Sequence, residues 1–223
     1  ELGAAGIEHQ FRLKLTLGQA TGALIFVGRI HCERFRDNAG TGESPAARQG
    51  FYYRANIYET YSYAAFVRDE IRAGDLILTP GVRVEIFEQE LVNRLQSSRL
   101  YDATTIAVLP GFGFNYALRS VNFFGGVHRG MTPPSNGTLL TLDFGNTNGS
   151  DFEDLELKPE TSWNSELGLR TNNKYIAAEI ALFQLTIQDM LAAGRGTAFT
   201  QLGSVTSSGI ESSVTFKTSR HSR

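Results

Sequence analysis

Apolar and polar residues alternate with period two along most of the chain, and helical periodicity is almost absent. In the clearest stretch, Trp163, Leu167 and Leu169 fall on one face, and Glu166 and Arg170 fall on the other. Period two places successive side chains on opposite faces of a β-strand. The pattern predicts an all-β protein whose strands have one apolar and one polar face. Both a soluble sandwich and a membrane barrel have such strands.

The order of the connections distinguishes these two architectures. The pattern predicts about ten strands, many near the 9–11 residues with which a tilted strand crosses a bilayer. Short turns alternate with long polar segments, predicted as loops at 36–57, 88–101, 130–160 and 188–199. Because short turns join antiparallel neighbours, all the long loops fall at one end. This sorting is typical of an antiparallel up-and-down transmembrane β-barrel, whereas a soluble sandwich has no reason for it.

Two local predictions rest on composition alone. Residues 88–99 are predicted as loop, with a short helix as the alternative. Ser207 and Ser208 are predicted as the turn of the last hairpin, between strands at Thr200–Thr206 and Gly209–Lys217.

Composition narrows the function classes. A net charge of −2 gives no basic balance for nucleic acid. The single cysteine, Cys32, excludes an internal disulfide framework and a multi-cysteine metal site. No nucleophile, phosphate-loop, zinc-protease or dinucleotide motif is present, so we expect no enzyme activity and no cofactor. The acidic segment 143–154 is predicted as a solvated loop rather than a calcium site, because it lacks the EF-hand pattern.

Glycines inside predicted strands require a reason, because glycine weakens a strand. They are Gly111, Gly113, Gly125 and Gly126. They could mark bulges, allow the sheet to bend, or let a backbone or ligand approach closely. The aromatic residues of the same hairpin predict either a girdle at a membrane interface or a soluble core; they are Phe112, Phe114, Tyr116, Phe123 and Phe124.

Several short motifs point to a known family. Leu157–Glu160, followed by Ser165–Arg170, resembles the LKPE…ExGxR signature in the barrel of TonB-dependent outer-membrane receptors. Further segments resemble motifs of that family in the family's order, and the part upstream of them looks most like the ferric-citrate branch. These segments are Leu78–Glu85, Asn115–Pro134, Ile180–Met190 and Gly209–Glu211.

The resemblance implies a barrel of about 22 strands in the bacterial outer membrane, closed by an N-terminal plug domain. Such receptors import ferric siderophores or, in some branches, cobalamin, haem or sugars. A TonB complex supplies the energy through an N-terminal box. The chain lacks plug motifs and a TonB box, has about ten predicted strands, and ends at Arg223 rather than in an aromatic residue. Residues 1–223 are therefore predicted to be part of a receptor barrel domain, in contact with outer-membrane lipid, with the plug domain absent.

An iron chelate is bulky and often anionic, and the planar guanidinium of arginine binds two carboxylate oxygens at once. Strand direction predicts several basic residues at the upper ends of strands or in the outer loops. We expect ligand contacts from this set, and no protein metal site: Arg29, His31, Arg34, Arg36, Arg48, Arg54, Arg83, His128 and Arg129.

Two alternatives remain open from the residues. One is a barrel segment of a passive porin or an adhesin, which transports without energy or not at all. The other is a soluble all-β binding domain, whose apolar face would be packed inward.

Overall fold

The chain forms one large antiparallel sheet and a separate two-stranded ribbon. The structure is a computed structural model, and it describes residues 2–17, 20–44, 47, 50–134, 158–193, 199–201 and 203–217. The strands are β1 Leu2–Leu17, β2 Ala20–Thr41, β3 Phe51–Arg68, β4 Ile71–Ala73, β5 Leu76–Asn93, β6 Ser98–Leu118, β7 Val121–Thr132, β8 Glu160–Asn172, β9 Ile176–Gln188, β10 Leu191–Ala193, β11 Phe199–Gln201 and β12 Val205–Phe216.

The large sheet is an up-and-down meander. Its spatial order is β1-β2-β3-β5-β6-β7-β8-β9-β12, so neighbours in sequence are neighbours in space. The short strand β4 pairs with β2 and β5 at one end, and β10 pairs with β11 in the ribbon. All pairings are antiparallel, which confirms the predicted architecture. In the part of the chain that the structure describes, no helix is long and apolar enough to cross a membrane.

Strand register divides the sheet into two chemically different faces. One row of directly paired residues crosses five strands, from Ile7 through Ile30, Tyr63 and Ile86 to Ile106. Its face, the apolar face, carries most of the exposed large hydrophobic side chains. The opposite face, the polar face, carries the alternate residues of each strand, as period two requires.

Burial occurs mainly on the polar face. Tyr58, Ser62, Glu85, Gln89 and Leu91 are all buried there. Extensive contacts between the described strands occur only where the strands are hydrogen-bonded neighbours. Pro134, in the segment after β7, also contacts this face, since its carbonyl accepts a hydrogen bond from Gln89. A sheet that curves toward its polar face also brings the side chains of that face together, as the wall of a barrel does.

The connections are sorted by end, as predicted. The strand pairs β1–β2, β3–β5, β6–β7 and β8–β9 follow one another at the lower end, and β4 lies between β3 and β5. The strand pairs β2–β3, β5–β6, β7–β8 and β9–β12 follow one another at the upper end.

The predicted lengths of two upper loops are wrong. The predicted loop 36–57 is mostly strand, because β2 continues to Thr41 and β3 begins at Phe51. The predicted loop or helix at 88–101 is also mostly strand, since β5 and β6 are joined by residues 94–97 alone. Both hairpins rise above the apolar part of the sheet, where neither face is hydrophobic along its whole length. Apolar alternation therefore fades although the hydrogen-bonded ladder continues.

The predicted turn at Ser207 and Ser208 is also wrong. Strand β12 runs straight through both residues, which pair directly with Leu185 and Gln184 of β9. Gly209, next in the strand, lies opposite the ring of Phe183. Pairing with an existing strand overrides the local turn preference of serine and glycine.

Candidate functional site

The apolar face is a band with a polar upper margin. On β2 the residues of this face run from Phe26 and Ile30 to Arg34 and Arg36. Arg34 bonds to Glu59 of β3 directly opposite, with 2.9 Å between Nε and Oε1. The register of β7 with β6 places Arg129 on the same side of the sheet. Three predicted ligand residues, Arg34, Arg36 and Arg129, therefore lie on the side of the apolar face.

The other predicted basic residues on strands lie on the polar face. Arg29 and His31 belong to β2, Arg83 to β5 and His128 to β7. The prediction that Arg29, His31 and Arg83 lie at the upper ends of their strands is wrong. Strands β2 and β5 extend ten residues beyond both His31 and Arg83, so these side chains lie near mid-strand.

Arg54 is held near the upper end of the polar face by an ion pair. Its Nε lies 2.5 Å from Oδ2 of Asp37 on β2, and Nη2 donates a 3.4 Å hydrogen bond to Oδ1. The two side chains are only 15% and 16% exposed. This partly desolvated pair is stronger than an exposed one. Arg54 therefore stabilises the hairpin, whether or not it also contacts a ligand.

Arg83 and His128 border one hollow on the polar face. The hollow has a volume of about 480 Å³, and the register brings glycines from three adjacent strands to its floor. Gly81 pairs with Gly111, and Gly113 pairs with Gly126. We call this feature the glycine hollow. Its polar-face lining is Phe66, Arg68, Thr79, Gly81, Arg83, Leu109, Gly111, Gly113, Gly126 and His128.

The glycine hollow is basic. Arg68, Arg83 and His128 lie around it. Glu85, two residues above Arg83 and so on the same face, is buried and accepts hydrogen bonds from the Arg83 guanidinium. The hollow thus presents two guanidiniums and an imidazole against one carboxylate that is already bound. Such a surface favours an anionic group or a chain segment that carries acidic side chains.

The strand glycines form two groups that the sequence did not separate. Gly125, Gly168 and Gly209 are each covered by a phenylalanine directly opposite on the neighbouring strand, with ring atoms 2.5–2.9 Å from where a Cβ would stand. At Gly113 an added Cβ would meet nothing nearer than 3.8 Å. The covered glycines make room for rings, whereas Gly113 leaves bare backbone facing the hollow. Gly111, Gly113, Gly125 and Gly126 do not lie at a register shift, so the interpretation of these glycines as β-bulges is wrong.

The aromatic residues of the same hairpin divide between the faces. Phe112, Phe114, Tyr116 and Phe123 lie on the apolar face, as a membrane-facing wall requires. Phe124 lies on the polar face beneath the guanidinium of Arg170, whose Cζ is 5.0 Å from the ring centroid.

Two features of the polar face were not predicted as functional. Arg68 ends β3 beside Gly81, and only the register reveals this neighbour. Above it lies a cluster that we call the upper cluster, in which Tyr58 packs against Phe35 and Gln89 donates a 2.9 Å hydrogen bond to the carbonyl of Pro134. The segment after β7 therefore reaches across the polar face to β5. No sequence signal marks this contact.

Two predictions cannot be placed, because Arg48 and the acidic segment 143–154 lie outside the described residues. Within the described residues, no three metal-ligating side chains come together.

A curved antiparallel meander with an exposed apolar band, a polar inner face and connections sorted by end is the wall of a transmembrane β-barrel. The chain belongs to the TonB-dependent receptor family, because the family model described as "TonB dependent receptor-like, beta-barrel" matches residues 4–219. This confirms the predicted family. It is a family of receptors and transporters rather than enzymes.

Solved structures share this fold. The ferric citrate transporter FecA in its unliganded form has a TM-score of 0.78 at 21% identity, covering 96% of this chain and 32% of that one. The ferric-catecholate import receptor Fiu from E. coli K12 has a TM-score of 0.70 at 14% identity, covering 98% and 36%. The copper transporter OprC has a TM-score of 0.64 at 13% identity, covering 98% and 36%.

The chain thus spans about a third of the length of these structures. At these identities the likeness establishes the fold, and the fold serves different cargoes. No curated protein sequence matches the chain.

Proposed function

We propose that this chain forms part of the barrel wall of a bacterial outer-membrane receptor that takes up an iron chelate with energy from a TonB complex. The observation that carries the proposal is the basic glycine hollow on the polar face of a receptor-family barrel. Bare backbone at Gly113, the guanidinium of Arg68 and the imidazole of His128 suit close approach of a bulky anionic chelate. Structures of the ferric citrate and ferric-catecholate transporters with the same fold support an iron chelate as cargo.

The predicted ligand residues on strands fall into two groups, according to the face of the sheet on which they lie. A chelate inside the barrel meets the polar face, where Arg29, His31, Arg83 and His128 lie, with Arg54 above them. Arg34, Arg36 and Arg129 lie on the other side of the wall. We therefore propose contacts from the first group and none from the second.

Ferric citrate is the first probe to use, in iron-limited cells that carry the complete receptor and lack other ferric citrate uptake. Arg68→Gln removes a guanidinium from the rim of the hollow, and His128→Asn removes an imidazole. We expect each to weaken ferric citrate binding about tenfold, which corresponds to about 1.4 kcal/mol. Arg34→Gln is the matched control, because it removes a guanidinium from the opposite face and should leave binding unchanged.

Unchanged binding in both rim variants, or a larger loss in Arg34→Gln, would contradict the assignment of the hollow. If ferric citrate does not bind at all, a ferric catecholate replaces it as the probe, with the same variants and the same expectations.

Energy dependence separates the receptor from a passive porin or an adhesin. Uptake of labelled iron should stop when the TonB complex is deleted, while surface binding persists. Uptake that continues at the same rate without TonB would favour a porin. Binding without any uptake, with TonB present, would favour an adhesin.

A further inference from the structure

An ion pair lies at the edge of the glycine hollow, and its acidic partner does not line the hollow. Arg83 borders the hollow, whereas Glu85 lies two residues above Arg83 on the same face of β5. Nε and Nη2 of Arg83 both contact Oε1 of Glu85. Glu85 can therefore influence an anion in the hollow through the direction and the charge of the Arg83 guanidinium.

The residues beside Glu85 on the neighbouring strands cannot bind its charge. They are Ala64 on β3 and Ala107 on β6, which pair with it directly and have no side-chain hydrogen-bond donor. The Glu85 side chain is only 9% exposed, and a buried carboxylate is costly unless a partner binds it. Arg83 is such a partner, so the carboxylate and the guanidinium hold each other in place.

The residues beside Arg83 on the neighbouring strands are apolar as well. They are Phe66 on β3 and Leu109 on β6, and both line the hollow. Neither side chain can accept a hydrogen bond from the guanidinium. The contact with Glu85 therefore determines the direction of the Arg83 side chain, which is held toward the upper side of the hollow.

A second guanidinium lies close to Arg83. Arg68 pairs directly with Gly81, which makes Arg68 and Arg83 diagonal neighbours on β3 and β5. Diagonal neighbours are about 7–8 Å apart, a distance at which like charges repel. Because the carboxylate of Glu85 offsets the charge of Arg83, the hollow offers an anion less positive charge than two arginines alone would offer.

Stability alone does not require this pair. Apolar residues of similar volume often replace a buried ion pair with no loss of stability, or with a gain. Phe66 and Leu109 show that this part of the polar face holds apolar side chains. A charge pair at the edge of an anion-binding hollow therefore points to a role in recognition.

We propose that Glu85 is a positioning residue that limits how much negative charge the glycine hollow accepts. It holds Arg83 and offsets the charge of that guanidinium, so the hollow favours chelates with few negative charges over highly anionic ones. The inference rests on the proposed function, because it concerns the same hollow, and it assigns a charge class to the cargo.

Glu85→Gln tests the proposal in the complete receptor, because glutamine keeps the size of the side chain and removes its charge. We expect the affinity for ferric citrate to rise about tenfold, which corresponds to about 1.4 kcal/mol. A purely structural role predicts a loss of affinity instead. Glu211→Gln is the matched control, since it removes the same charge from an exposed position on the polar face of β12 and should leave the affinity unchanged.

Two further measurements test whether Glu85 acts through Arg83. Arg83→Gln added to Glu85→Gln should abolish the gain in affinity, because it removes the guanidinium that the first change released. Phenylglyoxal, which modifies guanidinium groups, gives a readout that needs no chelate. Mass spectrometry should find Arg83 modified several times faster in Glu85→Gln than in wild type or in Glu211→Gln.

Unchanged or lower affinity in Glu85→Gln would overturn the role of Glu85 in selectivity. Equal modification of Arg83 in Glu85→Gln and wild type, or a gain in affinity that persists in the double variant, would overturn the role of Arg83 as the intermediary. A receptor that binds neither ferric citrate nor a ferric catecholate would contradict the proposed function. The modification of Arg83 would still decide whether Glu85 positions it.

Discussion

The two halves of the sheet cross the same distance with strands of different length. The main strands of the long half, β1–β6, have 16–22 residues, whereas those of the short half, β7–β9 and β12, have 12 or 13. A tilted strand needs about 9–11 residues to cross a bilayer. The short half therefore does little more than cross, while the longest strands continue for about ten residues, or about 30 Å, beyond the apolar band.

Different interactions support the two halves. The long half has the upper cluster around Tyr58 and the ion pairs of Arg34, Arg54 and Arg83 on its strands. The short half relies on phenylalanine rings that cover glycines of the neighbouring strand. A hairpin that leaves the membrane must supply its own burial, whereas a strand within the membrane needs only close contact with its neighbours.

The largest loss of stability is expected from Tyr58→Ala, which tests whether the upper cluster stabilises the long half. Tyr58 is 1% exposed and packs against Phe35 with 5.7 Å between ring centroids. Its removal leaves a cavity, and we expect the free energy of unfolding to fall by about 3 kcal/mol. The midpoint of urea unfolding of the complete receptor in lipid vesicles measures this loss.

Tyr53→Ala is the control for that prediction. It removes the same side chain from the same strand, but Tyr53 is 65% exposed, so the expected change is under about 0.5 kcal/mol. Equal losses in the two variants would mean that the upper cluster does not stabilise the long hairpins.

The ion pairs give the next largest effect. Arg54→Ala leaves Asp37 unpaired where it is only 16% exposed, and we expect a loss of about 2 kcal/mol. Arg34→Ala breaks the more exposed pair with Glu59 and should cost under about 1 kcal/mol. The same urea midpoints measure both losses.

The salt dependence of the two losses should also differ. At 1 M salt, where the Debye length is about 3 Å, the smaller loss from Arg34→Ala should largely vanish. The loss from Arg54→Ala should persist, because its pair is shielded from solvent. Equal salt dependence of the two variants would argue that the Arg54 pair is solvated in the native protein.

The comparison also explains what the sequence can reveal. Within the apolar band, alternation identifies strands, faces and the side on which Trp163 and Leu167 lie, because one face must be hydrophobic. Above the band neither face is uniformly hydrophobic, and even a buried position can hold a polar residue such as Gln89. Residues such as Glu88 and Gln89 then carry no alternating signal, and the hairpins are mistaken for loops.

The site shows the same limit. Arg29, Arg83 and His128 could be assigned to the polar face from parity along their own strands. The glycine hollow could not be predicted, because it depends on which residues of β5, β6 and β7 stand opposite one another. Register is set by turns and by cross-strand contacts, and a shift of one residue reverses every face.

The smallest expected loss of stability concerns the contacts between glycines and phenylalanine rings in the short half. Gly209→Ala places a Cβ 2.9 Å from the Phe183 ring, and the three nearest atoms all belong to that ring. We expect a loss of about 1 kcal/mol from this overpacking. Because the obstruction is a side chain, Gly209→Ala combined with Phe183→Leu should lose less than the sum of the two single variants. Gly113→Ala, with ordinary contacts of 3.8 and 3.9 Å, should cost nothing or stabilise slightly. Additive losses in the double variant would show that the ring and the glycine are independent, and the short half would then need another source of stability.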